Sequence, residues 1–375
     1  MIRTQVLIIG GGPTGSTAAR FLSDSGIDTV LLERDMSYVK PCGGGIPSTA
    51  FHELNIPEEI VKKKIKKIHI ISPKGEEIKV ELKGGYLCIT GRGTFDAKLR
   101  ELAKKSGAIL IEAEFLRFEE FRGKIISIAR KKSSKDEIKI KSDYVIASDG
   151  ITFRTGLSMK CNKPDCLSTI SAHITSDNLD ACEFWFGSSH ASQFYSWVFP
   201  SDGYSSIGTG CVSSKDLSHL LNSFIKRRFG IPLKDFADQN FINKPRAFKI
   251  PSWNGTIFNI NNILFAGDAA GTVMPVTYEG IYYAMKSGEF AAQAITEGKP
   301  SVYKKLWNSK FRNRFLLMSK IRNYLFGDDA HIEKFIALHK KPEVQEIAMR
   351  LWLKKETGSS ALISYLKFFK HFLKV

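Results

Sequence analysis

The residues with the clearest chemistry sit at the start of the chain. Gly10, Gly12 and Gly15 form a Gly-x-Gly-x-x-Gly pattern after the apolar run 5–9 (QVLII) and at the opening of a helical stretch, 13–25. Glu33 ends a second apolar run, 28–33 (DTVLLE). With this spacing the first glycine permits a tight turn, the second lets backbone approach a pyrophosphate, and the third lets helix and strand pack closely. The helix N-terminus favours the anionic phosphates. Glu33 is expected to accept hydrogen bonds from ribose hydroxyls, and its charge disfavours a 2′-phosphate. The bare glycine pattern is weak evidence; its strand, loop, helix and strand context predicts a dinucleotide site.

A second segment joins it. Gly267-Asp268 follows the apolar run ILFA (263–266), and 275–285 (PVTYEGIYYAM) supplies a loop and a helix start near Gly280 and Ile281. Asp268 is expected to hold the ribityl chain of a flavin. A helix N-terminus aimed at the flavin pyrimidine ring stabilises negative charge there. Two dinucleotide-contacting segments about 250 residues apart distinguish FAD from NAD as the tightly held cofactor. Arg92, in TGRGTFD, is expected near the flavin or its phosphates; the plain alternative is a surface ion pair. Asp149-Gly150 closes another short buried strand, YVIAS (144–148).

Positioning these residues requires a mixed α/β (α+β) chain. Its parts are a Rossmann-type FAD-binding domain, an antiparallel-sheet substrate domain and a C-terminal helical region. The FAD-binding domain is expected to be discontinuous, over 1–65, 91–164 and 245–300, with the substrate domain over 66–90 and 165–244 and the helical region over 301–375. Alternation over 67–82, broken at Pro73-Lys74-Gly75, predicts a hairpin. The Ser-, aromatic- and β-branched-rich stretch 165–212 predicts antiparallel strands. Helices are expected over 95–106, 215–229 and 277–297.

Five motifs carry a resemblance to a known family: GGGPTGSTAA (10–19), KPCGGGIP (40–47), GRGTFD (91–96), GDAAGTVMPVTYEGIYYAMKSG (267–288) and Tyr195-Ser196-Trp197-Val198-Phe199-Pro200. Over roughly 1–300 the chain resembles the geranylgeranyl reductases, within the group sharing the p-hydroxybenzoate hydroxylase fold. The resemblance implies reduction of isolated C=C bonds in the prenyl chain of a lipid or quinone. It implies that Cys42, Gly43, Gly44 and Gly45 lie against the isoalloxazine ring. It also implies that Tyr195, Trp197 and Phe199 line an apolar pocket. A polyprenyl chain has no polar handle, so shape and aromatic surface must recognise it. The plain reading of those three is a half-buried strand face of period 2. Cys42 is the candidate acid or proton relay; its plain reading is a small residue that fits beside the flavin.

Two other classes share these motifs: a flavin monooxygenase or halogenase of the same fold, and an electron-transfer flavoprotein passing electrons to quinone. The latter usually carries an iron–sulfur segment, and the six scattered cysteines lack C-x2-C spacing. Cys161 and Cys166 have the C-x4-C spacing of a flavin disulfide reductase, but such enzymes use a second Gly-x-Gly-x-x-Gly that this chain lacks. No metal site is expected.

A net charge of +17 suits an anionic membrane surface or an acidic partner. The basic residues are dispersed and come without a nucleic-acid-binding signature, so no nucleic acid is expected. NAD(P)H or a reduced ferredoxin is the expected donor. There is neither a run of about 18 apolar residues nor a signal-peptide pattern, so the expected location is cytoplasmic, peripheral to the inner face of the cell membrane. The last stretch reads as a basic amphipathic helix. Leu362, Tyr365, Leu366, Phe369, Phe372 and Leu373 fall on one face, and Ser364, Lys367, His371 and Lys374 on the other. It is expected either to lie on an anionic membrane or to dock on the core.

Overall fold

The computed structural model describes residues 1–121, 123–175, 178–356, 361, 363–364 and 367–368. The chain divides into two compact units: 1–39, 93–165 and 250–316 make the first, and 40–92, 166–249 and 317–375 the second.

The first unit is built on parallel strands. Ile2–Ile9 pairs in parallel with Thr29–Glu33 on one side and with Glu137–Ala147 on the other. Thr29–Glu33 continues to Ile109–Glu120, and Glu137–Ala147 to Ile263–Phe265. The strand Ile125–Lys131 adds antiparallel pairings to both long strands. Parallel strands must be joined by crossovers. The crossover after the first strand is the helix Pro13–Asp24, whose Ala18, Ala19 and Leu22 are fully buried. Leu7, Val30, Val145, Ala147, Phe153 and Phe265 form a continuous apolar cluster with this sheet.

The second unit holds a seven-stranded sheet in the order 246–251, 166–175, 204–211, 196–200, 182–185, 67–71 and 77–81. The expected hairpin over 67–82 is present as Lys67–Ile71 paired with Glu77–Glu81. One pairing departs from the antiparallel expectation: Cys182–Trp185 runs parallel to Lys67–Ile71. The two strands lie more than 100 residues apart in sequence, so no tight turn imposes an antiparallel pairing on this edge. The helix Leu217–Phe229 covers one sheet face, where Leu221, Phe224 and Ile225 meet Val198 and Ile207.

Two expected boundaries move. Gly45–Pro47 and Lys63–Ile65 both pair with Leu87–Ile89, which draws 40–65 into the second unit and away from the dinucleotide-binding part. The helical region after 301 does not stand apart. Trp307, Phe311 and Phe315 pack in the first unit, with Phe311 and Phe315 5.2 and 5.1 Å from the Tyr283 ring, whereas the chain from 317 belongs to the second unit. The expected C-terminal amphipathic helix lies mostly outside the described residues. Of its neighbourhood, Ala361 and Phe368 are buried with Leu338, Val344, Ile347 and Leu351. Ser364, expected on the polar face, is fully buried and donates to Glu356 Oε2 at 2.9 Å.

Candidate functional site

The candidate residues fall into two groups, one in each unit. In the first unit, the strand Ile2–Ile9 delivers the chain into the glycine turn. Gly10 has φ +105°, and a Cβ there would run into the carbonyl of Ser148. A Cβ on Gly15 would run into the carbonyl of Gly10, so helix and turn are in backbone contact. Gly12 differs. Its φ of −76° is open to any residue, and a Cβ there would meet nothing within 4 Å. The fold therefore needs glycine at 10 and 15, whereas at 12 it leaves clear space beside the helix start. No side chain caps that helix. An open, uncapped helix N-terminus ringed by glycine is the shape a pyrophosphate fills, and the residues present fit a dinucleotide.

Glu33 is fixed by the loop it faces. It accepts from the backbone N–H of Gly11 at 2.7 Å through one oxygen and from that of Asp35 at 3.1 Å through the other. Each carboxylate oxygen has a second lone pair, which leaves capacity for ribose hydroxyls. Arg100, which was not foreseen, clamps the same loops. Its guanidinium donates to the Gly11 carbonyl at 3.1 Å and to the Met36 carbonyl at 2.9 Å. Ser148 adds a third brace, donating to the carbonyls of Ile9 and Gly10, both at 3.0 Å. Asp149 turns out to be a local clamp, accepting from the N–H and hydroxyl of Thr155 at 2.9 and 2.7 Å.

The second segment of this unit converges on the same helix. Gly267, with φ +66°, presses its backbone against the Thr14 side chain, and its N–H donates to Ser287 Oγ at 2.8 Å. Gly280 caps the helix Ile281–Thr296, and a Cβ there would lie 3.8 Å from Asp268 Oδ1. Asp268, Gly280 and Ile281 are thus brought together. The loop before them is bent into unusual backbone: Val276 has φ +74° and Tyr278 φ +51°. Such conformations cost on the order of 1–3 kcal/mol each and persist where the surroundings over-determine them.

In the second unit, the loop Cys42–Gly45 lies flat against aromatic rings. A Cβ on Gly43 would come within 2.9 Å of the Phe199 ring and 3.2 Å of Trp197 Nε1. Gly44, with φ +81°, would place a Cβ 2.7 Å from the Thr90 carbonyl. Cys42 is partly exposed, and its Sγ accepts from the N–H of Gly44 at 3.4 Å. Its carbonyl accepts from Ser206 Oγ at 3.5 Å, and Ser206 in turn accepts from Trp197 Nε1 at 3.4 Å. Arg92 is buried at the start of the helix Arg92–Lys105, so the expected alternative of a surface ion pair does not apply.

Tyr195, Trp197 and Phe199 share one sheet face, opposite the helix 217–229 side where Val198 points. They are not a strand face open to solvent: all five residues of Ser196–Pro200 are buried, and only Tyr195 before them is half-exposed. Unforeseen rings extend the patch. Phe184 lies 5.1 Å from Phe199 and 5.3 Å from Tyr195, and Phe186 lies 5.8 Å from Tyr195. The C-terminal part closes it, through Trp352 at the end of the helix Pro342–Trp352, 6.3 Å from Phe184, and through Phe326 in the turn after the helix Asn313–Leu325, 6.4 Å from Phe186. The alternation Phe184, Trp185, Phe186 is the signal that marks this wall, because Trp185 turns away to Phe224.

A family model described as "FAD binding domain" matches residues 3–296. A geranylgeranyl diphosphate reductase of Rhodobacter capsulatus is 29% identical over 98% of this chain and 95% of its own length. A digeranylgeranylglycerophospholipid reductase of Methanosarcina acetivorans is 27% identical over 81% of this chain and 80% of its own. Among solved structures, a geranylgeranyl bacteriochlorophyll reductase-like protein of Thermoplasma acidophilum superposes with a TM-score of 0.81, at 24% identity, covering 91% of this chain and 92% of that one.

Proposed function

The chain belongs to the FAD binding domain family, and we propose that it is an FAD-dependent reductase of C=C bonds in a prenyl chain carried by a lipid or quinone. The observation that carries this reading is the aromatic face of the second unit. Five rings from two neighbouring strand segments, Phe184, Phe186, Tyr195, Trp197 and Phe199, present one apolar wall with the glycine loop at its edge. A chain without polar groups is recognised by such a surface and by little else. Similarity to reductases whose names specify geranylgeranyl substrates supports the same assignment.

Bound FAD supplies the hydride. The chain's own residues bind, orient and exclude. Gly10, Gly12 and Gly15 with the uncapped helix start hold the pyrophosphate, Glu33 the ribose, and Asp268 with Gly280 and Ile281 the ribityl chain and the pyrimidine edge. Arg92 adds charge near the cofactor. Phe199 and Trp197, which pack directly on Gly43, back the glycine loop, present apolar surface beside it for the alkene and keep water out. Cys42 Sγ is the proposed proton donor to the second alkene carbon; it is partly exposed and so open to resupply from solvent. Electrons come from NAD(P)H or a reduced ferredoxin. The charge of +17 suits an anionic membrane face, where a prenyl lipid is met, and no helix of the described residues is long and apolar enough to cross a membrane.

The test is lipid extraction from a host expressing the protein. The expected result is a prenyl lipid or quinone heavier by one H2 for every double bond reduced. An unchanged lipid and quinone profile, with oxygen use coupled instead to an aromatic product, would replace this reading with a monooxygenase.

A further inference from the structure

The first unit carries a cavity that the proposed chemistry does not use. It has a volume of about 340 Å3 and is lined by Arg34, Asp35, Tyr38, Glu114, Arg130, Lys131, Lys132 and Lys135. Five of these eight side chains are cationic and two are acidic, and the acids are already engaged. Asp35 takes Lys132 Nζ at 2.7 Å and the Ser37 hydroxyl at 2.6 Å, which hold its carboxyl well below the usual range. Glu114 pairs with Arg154 at 2.6 Å. Lys132 is shared between Asp35 and Glu112, and Arg130 lies 3.6 Å from Glu137. Among the described residues, no carboxylate lies within 4.0 Å of Arg34, Lys131 or Lys135. Three positive charges therefore face one cavity without compensation.

The turn that supplies two of them is costly in itself. Lys131, Lys132 and Lys135 crowd a single hairpin turn, where like charges repel. Lys135 has φ +65°, a conformation that glycine adopts without penalty. Opposite it, the Arg34 guanidinium lies over the Tyr38 ring, 5.8 Å from its centroid. That contact tethers the guanidinium beside the cavity, and its fork of donors matches phosphate oxygens.

We propose that this cavity binds a phosphomonoester dianion, held by Arg34, Lys131 and Lys135. The nucleotide source of that group is a 2′-phosphorylated adenosine, as in a phosphorylated pyridine dinucleotide; the lipid source is a phosphatidic-acid headgroup. The inference rests on the proposed reductase role only in supposing that such a donor or such a membrane is met.

The test titrates the FAD-loaded protein by calorimetry with adenosine 2′,5′-bisphosphate and with adenosine 5′-monophosphate, and by sedimentation with phosphatidic-acid and phosphatidylcholine vesicles. The expected result is preference for the bisphosphate, weakened by salt as exposed charges are screened. Lys131→Ala with Lys135→Ala should weaken that binding about tenfold or more, the loss of charge-assisted hydrogen bonds, and leave FAD affinity unchanged. Binding to phosphatidic-acid vesicles but to neither nucleotide, lost in the same variant, would support the cavity and assign it to lipid. Binding of neither nucleotide together with no vesicle preference, or nucleotide binding unchanged in the double variant, would overturn the proposal. So would a parallel tenfold loss of FAD affinity, which would make the cavity part of the cofactor site. None of these readouts depends on prenyl reduction, so the two readings fail separately.

Discussion

The two candidate sites, one in each unit, are made of different material. In the first unit the cradle is backbone: Gly10 against Ser148, Gly15 against Gly10 and Gly267 against Thr14 leave no room for a Cβ, and the polar braces run to main-chain carbonyls. In the second unit the wall is side chain: rings from 184, 186, 195, 197, 199, 326 and 352 meet one another at centroid distances of 5–6.5 Å. A backbone site fixes a ligand of defined polarity and fails outright when a side chain intrudes. A side-chain wall fits a ligand by volume and should degrade in steps.

The sharpest break in this contrast is made within one motif. Gly15→Val forces a side chain into the Gly10 carbonyl and should prevent the first unit from folding, seen as insoluble protein or a lost thermal transition. At Gly12 an added Cβ meets no protein atom within 4 Å beyond its chain neighbours, so Gly12→Val has room at its first side-chain atom. The apo protein should fold with an unchanged melting temperature, yet its side chain fills the pyrophosphate path and FAD should be lost. A yellow, stoichiometric Gly12→Val protein would show that the cradle does not hold the cofactor as argued.

Cys42→Ala comes next. The loop tolerates a small residue there, so FAD binding should persist. If the thiol delivers the proton, turnover should fall by roughly 10²–10⁴, the usual range for a positioned acid–base group. Reduction of the flavin by its donor should be nearly unchanged in rapid-mixing experiments. Unaltered turnover would reduce Cys42 to packing against the loop.

Smaller and graded losses are expected from the wall. Phe184→Ala and Tyr195→Ala remove half-exposed rings and should raise KM about tenfold, the equivalent of 1–2 kcal/mol of apolar contact, with the flavin spectrum intact. Trp197→Ala should raise KM as well, but its ring packs on Gly208 and Gly43 and is 6% exposed. A cavity cost of about 3–5 kcal/mol in stability should accompany it. A wall variant that loses FAD but keeps prenyl turnover would put the pocket elsewhere.

The same contrast explains what could be read from the chain alone. Backbone constraints act over a few residues, so the turn that brings Gly10 and Gly15 into backbone contact, and the Glu33 that faces it, declare themselves by spacing. Arg100 and Ser148 were invisible because an arginine on a helix and a serine after a strand have no distinctive pattern; only the fold brings them to the Gly11 and Gly10 carbonyls. The left-handed backbone at Val276 and Tyr278 had no signal either, since neither residue type asks for it. In the wall, Tyr195, Trp197 and Phe199 share one strand segment and one period, whereas Phe326 and Trp352 arrive from segments more than 100 residues later. The boundary at 40–65 failed for the same reason: pairing of 45–47 and 63–65 with 87–89 is a tertiary choice.

A different kind of contrast separates the units by pH. His190, in the second unit, is fully buried with Nδ1 2.8 Å from Ser196 Oγ; burial, and then the charge of Arg227, lowers its pKa to about 4. The unfolded chain protonates this imidazole near pH 6.5. Its contribution to stability is therefore complete above about pH 6.5, declines as pH falls toward 4, and changes little below that. The slope is at most about 1.4 kcal/mol per pH unit. Asp149, in the first unit, has the opposite tendency. Burial raises its pKa above the ordinary 3.8, with the Thr155 hydrogen bonds opposing, so its contribution is complete below that value and lost as pH rises through the folded pKa. Acidification from pH 6.5 to 4.5 should thus loosen amides around 187–200 and spare or tighten those around 147–157, as read by hydrogen exchange. His190→Gln should be less stable at neutral pH and lose the loosening on the acid side. If that variant keeps the full acid slope, the titrating group lies elsewhere, and the pH asymmetry between the units does not come from this histidine.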